Sequence, residues 1–122
     1  MNQVETISEL LGEELSIPVF QYTLPDNYEK KCVVVNEIAY DYQMAEGEYH
    51  IDIYAPNRER TIDGNTDLSL PDMDAIIDIR RDVFEVLRNY WNSDFDLNII
   101  KSQLTKSGFM HYLNICLTIQ FN

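Results

Sequence analysis

The chain reads as a two-layer α+β domain, an antiparallel or mixed sheet of four to five strands carrying an N-terminal helix and one long helix. Three observations predict this. Apolar residues recur at a spacing of three to four in two segments, one at the start of the chain and one after Pro71. In two others, 49–55 and 111–121, apolar and polar residues alternate as they do along strands. The 122 residues, 45% of them apolar, suffice for one core and suggest no second, so residues 1–122 are read as a single domain. Strands and helices in the order α-β-β-β-α-β-β give an α+β class.

The first helix is expected over 3–15. Val4, Ile7, Leu11 and Leu15 make one stripe, and Glu9 and Glu13 make the solvated face. Asn2 is placed to cap it, with Glu5 three residues on, and Gly12 weakens its end. A short edge strand follows over 17–22, because Pro18 cannot donate a ladder hydrogen bond. Leu24, Pro25, Asp26 and Asn27 make a turn. The core strand spans 32–38, where three consecutive valines imply burial on both faces. Residues 44–48 are read as the turn into a second strand, 49–55, which completes a hairpin with the first. Tyr49, Ile51 and Ile53 point one way; His50, Asp52 and Tyr54 point the other.

Pro56 and Asn57 end that strand, and 58–69 reads as a polar loop. The long helix is expected over 71–92. Pro71 suits its first turn, and Asp72 and Asp74 suit the positive end of its dipole. Met73, Ile76, Ile77, Val83, Phe84, Leu87, Tyr90 and Trp91 make a broad apolar face, widened by Ile79 and Val86. Two strands close the chain. Phe95, Leu97 and Ile99 alternate; Lys106, Ser107 and Gly108 turn; His111, Leu113, Ile115, Leu117, Ile119 and Phe121 alternate strictly. The other phase of this last strand is Tyr112, Asn114, Cys116, Thr118 and Gln120. It is polar but uncharged, and is expected to lie under a helix or against a neighbour.

Charge excludes one class of partner. Nine basic residues against twenty-one acidic ones give a net charge of −12. No basic residue precedes Lys30, and Arg58 and Arg60 are the only ones between Lys31 and Arg80. Such a chain has no patch to neutralise phosphates, so specific nucleic-acid binding is not expected. The longest uninterrupted apolar run, 32–35, is four residues, so no membrane span is expected. Cys32 and Cys116 form no motif and are expected as free thiols.

Catalytic and metal-binding signatures are missing as well. Two histidines, His50 and His111, show no ligand spacing. Asp63, Asn65 and Asp67 match the first alternate oxygens of a calcium loop, but Leu68 stands where glycine belongs and Asp74 where glutamate does. There is no nucleophile elbow or glycine-rich phosphate loop. No enzyme activity, metal or cofactor is expected. Tyrosines on strands fit cross-strand packing or a protein interface.

Taken in order, the N-terminal helix, the segment Ile17-Pro18-Val19-Phe20-Gln21-Tyr22 with Leu24-Pro25, the core strand, the alternating strand to Asn57, the helix after Pro71 and the closing strand resemble small phage tail-completion (tail-terminator) proteins. The resemblance covers most of the chain through order and spacing, with no single diagnostic motif. It implies a non-enzymatic virion protein, made in the cytoplasm of a bacterial host and located in the tail or neck. It further implies a homo-oligomeric ring, commonly a hexamer, that caps the tail tube, joins it to the head connector and lets DNA pass without specific binding. The 58–69 loop, with Arg58, Arg60, Asp63 and Asp67, becomes the candidate subunit or tube contact. A related neck protein, or a non-viral adaptor module that binds one protein partner, remains the alternative.

Overall fold

The computed structural model describes residues 3–90 and 95–121. Two helices lie on one face of a five-stranded mixed sheet, and a separate two-stranded sheet stands beside it. Helix α1 spans Gln3–Glu14 and buries Val4, Ile7, Ser8 and Leu11. Ser8 is polar in that stripe, yet its hydroxyl donates to the Val4 carbonyl at 2.6 Å, so its burial carries no unmade hydrogen bond. The expected cap, Asn2, lies outside the described residues.

Strand β1, Val19–Gln21, is the predicted edge strand, shortened to three residues. It pairs in parallel with β2, Cys32–Asp41, and Pro18 serves only as an acceptor, from Val33 N. The three valines are buried as expected: Val33 and Val35 face the helices, and Val34 faces the other side. Strand β3, Glu46–Pro56, pairs antiparallel with β2. The turn read at 44–48 is in fact 42–45, fixed by Asp41, whose Oδ1 accepts from the amides of Gln43 and Met44. Glu46, Gly47 and Glu48 are already strand. Gly47 owes its place there to Tyr49, whose buried ring occupies the space a Gly47 side chain would need.

Helix α2 is Met73–Tyr90. Asp72 caps it by accepting from Ala75 N, so Pro71 precedes the cap rather than sitting in the first turn. Its buried stripe is Ile76, Ile79, Val83, Phe84 and Leu87. Met73 and Ile77 fall off that stripe and are exposed, so the apolar face is narrower than the sequence suggested. Trp91 and Asn92 lie outside the described residues, and nothing is assigned to the Tyr90 side chain. No helix among the described residues is long and apolar enough to cross a membrane.

Strands β6, Phe95–Ser107, and β7, Met110–Phe121, close the fold. Gly108, at φ 60°, opens the tight turn between them; the turn read at 106–108 is in fact 108–109, because Lys106 and Ser107 still pair with His111 and Met110. The sheet order is β1-β2-β3-β7-β6, so β3 and β7 are central and β1 and β6 are the edges. A register shift between Ile99 and Lys101 bulges β6 and leaves Ile99 and Ile100 exposed, breaking the expected alternation. The core lies between the helices and Val33, Val35, Tyr49, Ile51, Ile53, Ala55, Ile115, Leu117 and Ile119.

The segment read as a polar loop is a hairpin. Strand β4, Arg58–Ile62, pairs with β5, Asn65–Leu70. Its two-residue turn is Asp63 and Gly64, at φ 50° and 79°. Positive φ at both positions is the turn whose twist matches a hairpin, and Asp-Gly is its preferred sequence.

Candidate functional site

The structure assigns the sequence-predicted residues to three places on that hairpin. Arg60 sits opposite Asp67 across the strands, and its Nε donates to the Asp67 carboxylate at 2.5 Å. Hydrogen bonds from Ser69 and Arg60 hold the Asp67 carboxyl below its usual range. Asp63 is at the turn, and Arg58 is at the base opposite Leu70. The fold brings Arg60 and Asp67 together and keeps Arg58 and Asp63 at opposite ends. Asp63, Asn65 and Asp67, which match alternate positions of a calcium loop in sequence, run through a turn and along a strand, with Asp67 engaged by Arg60.

Both hairpin strands are largely exposed, and neither packs extensively on a helix or on the main sheet. One residue secures the base. Asn57 is nearly buried; its Nδ2 donates to the Leu68 carbonyl, its backbone N–H to the Phe109 carbonyl, and its Oδ1 accepts from His111 Nδ1 at 2.7 Å. His111 is therefore a half-buried histidine that ties the base of the hairpin to β7.

A second constellation lies on the sheet face opposite the helices. The outward phase of β7 was expected under a helix or a neighbour; both helices pack on the other side. Tyr54 and Tyr112 stack there at 4.7 Å. Asn114 Nδ2 donates to Asp52 Oδ1 at 2.6 Å and lies 3.2 Å from His50 Nδ1. Cys116 Sγ donates to Glu48 Oε1 at 3.2 Å. Burial raises the Asp52 carboxyl, against the lowering effect of Asn114 and His50. Burial also raises the Cys116 thiol, and Glu48 adds to it. The sequence marked His50 as polar-phase but could not supply its partners. Glu48 and His50 are two apart on one strand, whereas Cys116 reaches them only through the β3–β7 register, which pairs His50 with Cys116.

The two cysteines cannot bridge. Cys32 pairs with Tyr54 and Cys116 with His50, four residues apart along β3. That is about 13 Å of strand rise, well beyond disulfide reach.

These groups predict a pH dependence. Burial pushes Cys32 up to about 12; burial, with Asp52 nearby, pushes the Tyr54 phenol up to about 12. The ordinary values are 9.0 and 10.0. The folded state holds these protons after the unfolded chain has lost them, so their stabilisation is complete below pH 9 and lost as pH rises toward 12. The urea midpoint should be flat from pH 7 to 8.5 and fall steadily to pH 11; a constant midpoint across that range would contradict the assignment.

A third feature is an open groove of about 510 Å³ between the end of α1 and α2, lined by Leu10, Glu14, Leu15, Asp82, Glu85 and Val86 among others. Its lining mixes the carboxylates of Glu14, Asp82 and Glu85 with the apolar side chains of Leu10, Leu15 and Val86. No model of a known protein family matches the chain, and no curated protein proves similar to it.

Proposed function

We propose that the protein is a structural component of a phage tail, a tail-completion protein that assembles as a ring, caps the tube and joins it to the head connector. The observation that carries this reading is the β4–β5 hairpin. An isolated two-stranded hairpin is marginal in water, and this one packs on little of its own domain. Such an element is suited to gaining its missing contacts from a neighbouring subunit or the tube. A ring closes through a heterologous interface, one patch meeting a different patch on the next copy. Arg58, exposed at the hairpin base in a strongly acidic chain, supplies a cation for such a contact. Arg60 is engaged within the hairpin and stiffens it. Charge pairs of this kind set orientation more than affinity. The remaining acidic groups would line a lumen that repels passing DNA, and no catalytic step is required.

The test is assembly. Deleting the gene from a phage or prophage that carries it should give tails of uncontrolled length or tails that fail to join heads. Normal virions from the deletion would eliminate the tail role. Arg58→Glu and Gly64→Val should reproduce the defect with a folded protein, because the hairpin lies outside the core. Normal virions from both would remove the hairpin from the interface. An adaptor would instead capture one partner protein and leave tails unaltered.

A further inference from the structure

We propose that Glu48, His50 and Cys116 form a binding site for a divalent transition-metal ion of the zinc class, on the sheet face opposite the helices. This inference is independent of the tail reading.

Geometry comes first. One ligand atom from each residue, a carboxylate oxygen, a ring nitrogen and a thiol sulfur, lies within 4.8 Å of the other two. Tetrahedral zinc, with bonds of about 2.0 Å to oxygen and nitrogen and 2.3 Å to sulfur, sets ligand edges of roughly 3.3–3.5 Å. The Cys116 Sγ to Glu48 Oε1 distance is already 3.2 Å. The other two edges are within 4.8 Å, and the three residues stand on adjacent central strands whose register fixes their backbones.

The donor set selects the ion. A thiolate with an imidazole favours zinc, cobalt or copper, whereas magnesium and calcium take oxygen ligands. Three protein ligands leave the fourth position of a tetrahedron for water. The surroundings suit a held ligand set. Cys116 is nearly buried, and Glu48 and His50 are half-buried, which shields the site while leaving an approach. Asn114 Nδ2, which donates to Asp52, also faces His50 Nδ1, so that nitrogen carries the ring's lone pair, and a metal ion bound there takes the place of the Asn114 contact. Lys101, opposite Cys116 on β6, is the cation nearest by register; it is exposed and free to turn into solvent. Binding displaces the Cys116 proton to solvent, so one proton is released per thiolate formed.

Nothing in the linear sequence announces this site, because its third ligand is 66 positions from the second. The sequence expectation was that the chain holds no metal; the assembled cluster predicts that a bound ion raises the melting temperature and that a chelator lowers it again.

The experiment uses the full, tag-free chain stripped with a chelator and titrated with Co²⁺, then Zn²⁺. One equivalent of Co²⁺ should produce a thiolate charge-transfer band in the near ultraviolet and visible bands of tetrahedral intensity. Zn²⁺ should abolish both and raise the melting temperature by several degrees. Cys116→Ala should remove the charge-transfer band, and His50→Ala should weaken binding on the order of 100-fold. His50 is not in the core, so its variant keeps the test valid if Cys116→Ala fails to fold. Absence of a band in the wild-type chain would overturn the proposal. So would a band that survives Cys116→Ala, or binding unaffected by His50→Ala.

Discussion

Ile51→Ala should lower the unfolding free energy by about 2–5 kcal/mol, a large share of the 5–15 kcal/mol that holds a domain of this size together. Ile51 is fully buried at the middle of the central strand, between Val35 on β2 and Ile115 on β7, beneath the helices. Removing three carbons there leaves a void walled by strands on both sides and helices above. Both flanking strands pair with β3 in unbroken register around Ile51, so the walls resist collapsing into it. Ile38 makes the control. It lies at the β2 bulge, is 48% exposed, and its alanine variant should stay within about 0.5 kcal/mol of the parent. Urea denaturation followed by far-ultraviolet circular dichroism separates the two. Equal midpoints for both variants would mean that the helices do not cover this face of the sheet.

Gly47→Ala should cost about 1–3 kcal/mol, although alanine is the better residue for an ordinary strand. A β-carbon at Gly47 would overlap Cε2, Cζ and Oη of Tyr49, a side chain with no exposed surface. The two residues share the helix-facing side of β3, where Tyr49 folds back along its own strand. The ring has no room to retreat, so either the strand or the core must shift. The cost belongs to the pair and should therefore shrink in a Tyr49→Leu background. A coupling of at least about 1 kcal/mol in the double-mutant cycle is expected. Strict additivity would show that the ring is not what excludes the side chain.

The sequence carried the layers but not the pairings. Helical stripes and strand alternation are local, and α1, β2, β3, α2 and β7 could be read from them directly. The β4–β5 hairpin was missed because its residues are polar on both faces, so alternation gave no signal. The Asp63-Gly64 pair was the available clue, and it was read as part of a polar loop and not as the turn of a hairpin. Gly47 was mistaken for turn chemistry because its constraint comes from Tyr49, whose ring direction is not written in spacing. The bulge at Ile99–Lys101 depends on how β6 fits β7. The Glu48–His50–Cys116 cluster depends on register between strands that are distant in sequence, and a slip of one residue would have sent Cys116 to the other face.

The unequal edges of the main sheet have a consequence for polymerisation. Strand β6 offers a thirteen-residue border, interrupted by a bulge and carrying Lys101 and Lys106. Strand β1 offers three residues, preceded by Pro18. Fibre growth by strand addition needs two borders of comparable length, one to accept each incoming copy and one to extend the stack. Here the second border is too short to propagate the ladder. Two β6 strands from separate copies can meet, and the addition then stops at a pair. Open-ended stacking of the main sheet is thereby limited by the brevity of one strand, without shielding the other.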